Sequence, residues 1–451
     1  MGPYPSARRW IAAASLFAFA SGVIGGCNSL LGTPEPELAD GGPDADHGPD
    51  AGSDVDATTA QDGTAQDGTP QDSAAQDATA QDSAAQDATA PGDGATEGAV
   101  EQDAAEDTSA EDVVASEGGS DGAVPSPPSC AVDAGPGVTT CGTAGDSCCT
   151  SVLVNGGTFY RTYSVSGGVP TGFGAQATVS DFRLDKYEVT VGRFRQFVAA
   201  TKTWTPPPGS GVHAHLRDGG GLEQIVDGSA IEEPGWDPSW NADLSQVDGG
   251  GSGHWDSTLL SCAPESTWTN AASTQESLPI NCVNWYEAYA FCIWDGGFLP
   301  SEAEWEYASA GGTGQRQYAW GDTDPGVQNQ YGIYGCNYPD GGQLGVDAAG
   351  TCASIANIAP VGSAPLGVGE WGQLDLGGNV NEKTFDWYDG AYLVPCSDCA
   401  DLTPDPGSFP GRSSRGGSWW VQPGAMMSYS RTEYTPITRD FKGGIRCARA
   451  P

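Results

Sequence analysis

Apolar and polar residues follow different rules in different parts of this chain. Residues 10–24 form an almost unbroken apolar run, preceded by Arg8 and Arg9. From residue 31 to about 128, large apolar residues nearly vanish. Inside that stretch, residues 60–89 repeat in fives as AQDGT AQDGT PQDSA AQDAT AQDSA AQDAT. A period of five matches neither a helix at 3.6 nor a strand at 2. Small, polar and acidic residues cannot bury enough surface to offset lost chain entropy, so an expanded coil is expected.

Beyond residue 151 the pattern alternates. VLVNGGTFY predicts strand and turn, and residues 182–189 predict another strand. Thr190 is placed to cap a short helix whose Phe194, Phe197 and Val198 share one face. Asn284 with Glu287, and Ser301 with Glu304, form capping-box spacings before Ala288-Phe291-Cys292 and before Trp305-Ala308. Gly296-Gly297 and Gly311-Gly312 are natural helix stops. The rest, rich in Gly, Pro, Asn and Trp, predicts long loops, few strands and few helices.

Composition sharpens the division. All but one of the 14 tryptophans lie from Trp204 onward, so only the last 320 or so residues can build a sizeable core. The expected organisation is a signal peptide over 1–27, an acidic low-complexity tether over 28–128, a Cys-rich loop over 129–151 and one globular domain over 152–451. The run at 10–24 is short for a membrane span. It ends in Val23-Ile24-Gly25-Gly26-Cys27, which resembles a bacterial lipobox with Cys27 lipidated; the plainer alternative is a secretory signal with a chance Cys. A lipid on Cys27 would anchor the chain without a further membrane segment. A tether of about 95 residues would span on the order of 55 Å. The net charge of −41 argues against nucleic acid as a partner. Of 13 cysteines, twelve remain after Cys27, an even number that points to disulfides in an exported chain. Cys130, Cys141, Cys148 and Cys149 should close a small knot by two disulfides of unassigned connectivity. Cys396-Ser397-Asp398-Cys399 is a single C-x-x-C, which suits a local disulfide better than a four-ligand zinc site.

LPINCVNWYEAYAFCIWDGGFLPSEAEWEYASAGG resembles the central motif of the formylglycine-generating enzyme (sulfatase-modifying factor) family. NGGTFY, DKYEVTVGRFRQF, YAWGD, APVGSAP, GQLDLGGNVNEKTFDW, RGGSWW and GGIRCAR are similar to its other motifs, in family order. The resemblance implies an α+β fold, a variant of the C-type-lectin-like fold that is loop-rich and disulfide-stapled. It implies a Cys292–Cys447 disulfide, worth roughly 4–5 kcal/mol in the chain-entropy model. Nearness alone suggests Cys262–Cys282, Cys336–Cys352 and Cys396–Cys399.

The family enzyme oxidises a cysteine with O₂ and copper(I), held by two thiolates shortly after the GGS motif. Residues 416–431 of this chain contain no cysteine, and Val421 aligns with the first of the two. Copper, and with it formylglycine generation, is therefore not expected; Met426 and Met427 suit packing. A family calcium site matches Asp375, Gly378, Val380 and Glu382, hard donors on a Gly-rich turn that suit Ca²⁺; a turn without an ion is the alternative. Asn381 and Lys383 replace the family's aromatic pair around the Glu. His213-Ala214-His215 could share a strand face as ligands, but with no third ligand in view a surface loop is expected. The tryptophans from 204 to 268 could stack on sugars, though burial is the commoner use.

These features point to a lipid-anchored protein of the bacterial cell envelope, periplasm-facing or on the outer-membrane surface. Asn28 after the lipidated Cys favours the outer membrane. The domain is expected to be non-catalytic, binding an envelope protein or glycan in a groove around Trp419 and Arg431, although Arg431 could instead buttress the core. An altered-metal oxidoreductase and a structural envelope protein are the alternatives.

Overall fold

A computed structural model describes residues 126–451, apart from 132–134, 203, 245–259, 342–351, 353 and 405–409. The signal segment, Cys27 and the tether lie outside the described residues.

Four strands open the domain: β1 (Ser151–Val154), β2 (Gly157–Ser166), β3 (Val169–Val179) and β4 (Phe182–Asp185). Helix α1 (Val191–Ala200) follows, then β5 (Glu223–Val226), β6 (Ser229–Glu232), α2 (Trp285–Trp294) and α3 (Glu302–Ala310). The C-terminal part supplies β7 (Asn381–Trp387), β8 (Cys396–Ser397), β9 (Arg412–Arg415), β10 (Arg431–Tyr434), β11 (Gly443–Gly444) and β12 (Ala448–Arg449). They pair as β1-β4-β12, β2-β3-β8, β10-β9-β7-β11 and a β5-β6 hairpin. The result is the expected mixed α+β, loop-rich architecture. Among the described residues, no helix is long and apolar enough to cross a membrane.

The helices start where their caps are. Thr190 Oγ1 accepts the Arg193 N–H at 3.1 Å. Asn284 with Glu287, and Ser301 with Glu304, complete reciprocal capping boxes. Gly311, at φ 65°, ends α3 in the left-handed region. Phe194 and Phe197 of α1 pack on Phe291 of α2, and Trp285 and Tyr289 pack on Phe385 of β7. Trp236 and Trp268 are buried while Trp204 and Trp240 are half-buried against this core, so these four tryptophans are packing surface.

Six disulfides staple the domain. Cys292–Cys447 joins α2 to the residue before β12, and Cys262–Cys282, Cys336–Cys352 and Cys396–Cys399 close local loops. The Cys-rich loop is closed by Cys130–Cys149 and Cys141–Cys148. It docks through Ser129, whose N–H donates to Asp295 at 2.8 Å and whose Oγ accepts from Arg193 at 3.0 Å. Arg193 and Arg449 in turn bind Asp185 and Asp295, a buried two-plus-two ion network that ties this loop to α1, β4, the end of α2 and β12.

The surface loop expected around His213 is not what forms. His213 is fully buried, with Nδ1 3.0 Å from Glu233 and Nε2 3.1 Å from Glu304. Burial alone would lower its pKa, but the two carboxylates overcome this and raise it to about 10. An imidazolium between two carboxylates needs neither solvent nor a metal. His215 stacks on Phe298 beside it.

The sign of the linkage follows from the raised value. The His213 contribution is fully present below the unfolded pKa of about 6.5 and is lost as pH rises through about 10. His213→Gln, which leaves two buried carboxylates without their cation, should cost about 3–5 kcal/mol near neutral pH. Denaturant melts of both proteins from pH 6 to pH 10 check this: the gap between them should shrink towards pH 10, and a constant gap would contradict the assignment.

Candidate functional site

Helix α3 positions the centre of the domain. All nine of its residues are buried, including Glu302, Glu304 and Glu306. Glu302 binds Arg161 at 2.9 Å, Arg415 at 3.0 Å and Arg431 at 2.8 Å, and accepts the Ser413 hydroxyl. Burial raises its pKa, but the three arginines dominate and hold it at about 2. Glu306 binds Arg415 at 2.8 Å and Arg161 at 3.4 Å, yet burial keeps its pKa raised. Trp305 Nε1 donates to Glu382 of β7 at 2.6 Å.

The sheet register then sorts side chains onto two faces. Glu382, Arg415 and Arg431 lie opposite one another across β7, β9 and β10, and turn towards α3. Lys383, Ser414 and Thr432 are the next set across the same strands, so they turn the other way. Arg431 is thereby fixed as the buttress allowed for in the sequence: its guanidinium meets Glu302 and stacks on Tyr388 and Tyr392 at 4.3 and 4.4 Å.

The segment after β9 closes a cavity of about 140 Å³, lined by Asn381, Ser414, Val421, Ala425, Ser430, Thr432 and Tyr434, together with Arg415, Gly416, Gly417 and Arg431. Gly417 needs its φ of 68° here, since a Cβ would stand 3.0 Å from the Ala425 backbone. Of the groove expected around Trp419 and Arg431, Arg431 lines this cavity and Trp419 does not. Trp419 is fully buried against Trp420 and Phe441 and does not reach the cavity, because the turn after Gly417 aims it into a separate core. Asn381, Ser414 and Tyr434 line the cavity beside Arg431, and the sequence pattern did not mark them as a site. Strand alternation could have found them only with the β7–β9–β10 register in hand. Met426 is buried in a small aromatic cluster, as packing requires.

The turn before β7 carries the four residues matched to calcium. Asp375 has φ 61° and Gly378 has φ 97°, and a Cβ on Gly378 would stand 2.4 Å from the Ile333 carbonyl. Asp375 Oδ2 accepts the Gly362 N–H at 2.5 Å. Burial, with Glu382 nearby, pushes its pKa up to about 6. Glu188 accepts from Val380 N at 3.0 Å and Asn379 Nδ2 at 2.7 Å. Its pKa is raised by burial and then by Asp375 and Glu382. Three buried carboxylates thus face one guanidinium, Arg446, an imbalance that a hard dication would relieve. The fit is better in charge than in free donors. Arg446 bonds both Glu382 oxygens at 2.6–2.9 Å and Trp305 takes Oε2 again, leaving Asp375 Oδ1 as the open carboxylate oxygen. Among the described residues, no three His, Cys, Asp or Glu side chains converge as a metal-ion set.

For copper the donor set does not fit. All twelve cysteines after Cys27 are described, and all are paired in the six disulfides, so none offers a thiolate.

The arrangement of capped helices, short twisted sheets and a Gly-rich turn behind a GGS segment defines a formylglycine-enzyme-like variant of the C-type-lectin-like fold. The chain belongs to the sulfatase-modifying factor enzyme 1-like domain family, whose model matches residues 139–451. It is 30% identical over 315 residues to a formylglycine-generating enzyme of Thermomonospora curvata, covering 66% of this chain and 93% of that protein. It is 27% identical over 286 residues to the inactive C-alpha-formylglycine-generating enzyme 2 of Mus musculus, covering 60% of this chain and 76% of that one. A solved structure, PvdO from Pseudomonas aeruginosa, superposes with a TM-score of 0.40 and 18% identity, over 67% of this chain and 94% of that one.

Proposed function

We propose that this chain is a lipid-anchored envelope protein whose family domain is a binding module for an envelope protein or glycan, without formylglycine-generating activity. The observation that carries the reading is the disulfide pairing of every cysteine in the domain, with Val421 in the wall where the family resemblance expects a thiolate. Two thiolates are the chemistry that holds copper(I), and neither Val421 nor a disulfide supplies one. Similar proteins carry names for both active and inactive forms, so the family accommodates this reading. Purified protein loaded with copper(I) and given a cysteine-containing sulfatase peptide should yield no aldehyde by mass spectrometry. Peptide oxidation above the copper-only control would sink the reading.

Calcium belongs to the same proposal as a structural ion. Asp375 would offer its open oxygen beside the carbonyls of Gly378 and Val380, with Glu382 sharing its oxygens with Arg446. Binding would relieve the excess of buried negative charge. Saturating Ca²⁺ at about 100 times its dissociation constant should add roughly 2.7 kcal/mol, a rise in melting temperature of several degrees over EDTA. Asp375→Asn should abolish that rise; identical melting with and without Ca²⁺ in the wild type removes calcium from the account.

Anchoring rests on the lipobox-like Val23–Cys27 stretch and the apolar run before it. Expressed in a Gram-negative host, the wild type should sediment with membranes and stay there in high salt. Cys27→Ser should move it to the soluble fraction, and an unchanged distribution would count against lipidation.

A further inference from the structure

We infer that the cavity on the sheet face turned away from α3 is a site for one neutral, hydroxyl-bearing sugar unit; the inference rests on the binding-module reading and names its ligand class. Besides Arg415 and Arg431, both paired with carboxylates of α3, the wall sets five uncharged polar side chains, Asn381, Ser414, Ser430, Thr432 and Tyr434, against Val421 and Ala425. Several are already ordered. Ser414 Oγ donates to Asn381 Oδ1 at 3.1 Å, Asn381 Nδ2 donates to the Tyr434 oxygen at 3.3 Å, and Ser430 Oγ donates to the Gly424 carbonyl at 2.7 Å. These bonds leave hydroxyl lone pairs and one Asn381 N–H for a guest. A preorganised mix of donors and acceptors suits hydroxyl groups, which do both, and costs little ordering on binding. Val421, Ala425 and the Tyr434 ring supply the apolar patch that the C–H face of a sugar ring can cover.

Charge excludes the obvious competitors. Arg415 and Arg431 line the cavity, but their charge is already met by carboxylates of α3, Glu302 and Glu306 for Arg415 and Glu302 for Arg431, so it is not free for an anion. A cation would need a carboxylate, and none lines the wall. Lys383, on the cavity face of β7, is buried and lies beyond Asn381, its Nζ 2.9 Å from where a Gly443 Cβ would be. The volume of about 140 Å³ is roughly ten times what one ordered water needs, so a larger guest fits.

The test uses the full mature chain and the methyl glycosides of glucose, galactose, mannose and N-acetylglucosamine, read by saturation-transfer NMR. At least one should bind saturably. Binding should fall tenfold or more in Asn381→Leu, which removes the amide, and in Val421→Trp, which fills the cavity; Phe173→Ser, on the exposed β2–β3 hairpin, should bind like the wild type. Should Val421→Trp lower the melting temperature, Ser414→Ala removes a hydroxyl without adding bulk and carries the comparison. No saturable binding of any of the four glycosides, or equal binding by the cavity variants, overturns the inference. If the glycosides fail while an envelope protein is captured at this face, the sugar assignment falls and the binding module stands. Oxidation of a cysteine peptide would instead remove the module reading.

Discussion

Helix α3 carries Glu302, Glu304 and Glu306 into an interior from which water is excluded, and an unpaired carboxylate there costs several kcal/mol. Each must therefore meet a cation, and those cations come from distant parts of the chain. Arg161 arrives on β2, His213 on the loop before β5, Arg415 on β9 and Arg431 on β10. One nine-residue helix thus dictates where four other elements dock. Hydrophobic contact alone would tolerate some sliding of strands against α3; fixed guanidinium–carboxylate geometry tolerates far less. The same logic recurs where Arg193 and Arg449 meet Asp185 and Asp295, and where Arg446 meets Glu382.

This electrostatic frame separates scaffold from cavity. Because Glu382, Arg415 and Arg431 all turn towards α3 or its partners, the two arginines that help line the cavity bring charge that is already paired. Ser414, next to the buried Arg415 but on the other face of the sheet, presents its hydroxyl to the same cavity and bonds Asn381 there. Changes on that face need not disturb the ion pairs, since no side chain on it contributes to them.

Local features of this fold were legible in the sequence, and long-range ones were not. The capping boxes at Asn284 and Ser301 formed as spaced, because capping is decided within four residues. Short C-x-n-C spacings also ended in local disulfides, where chain proximity does most of the choosing. His213 was misjudged as surface because its partners, Glu233 and Glu304, lie 20 and 91 residues away. Trp419 was expected beside Arg431 in a groove for the same reason, although of the two Arg431 alone lines the cavity. Nothing local says that a turn at Gly417 sends Trp419 into one core while the β9–β10 register sends Arg431 to Glu302.

On β7, the residue that matches the family resemblance and its two neighbours that depart from it face opposite ways. Glu382, which matches, faces α3. Asn381 and Lys383, which depart, face the other way, and Val421, where a thiolate was expected, lines the cavity beside Asn381. Lys383 would be costly there as an ammonium, and desolvation pulls its pKa down to about 8, with Asp440 and Glu287 opposing. A chain drifting without constraint would scatter such departures over both faces. Here Asn381 and Val421 meet at one cavity, with Lys383 buried beyond it, while the buried ion pairs stay intact. Strand alternation puts Asn381 and Lys383 on one face together, so both could change without touching the Glu382–Arg446 pair behind them.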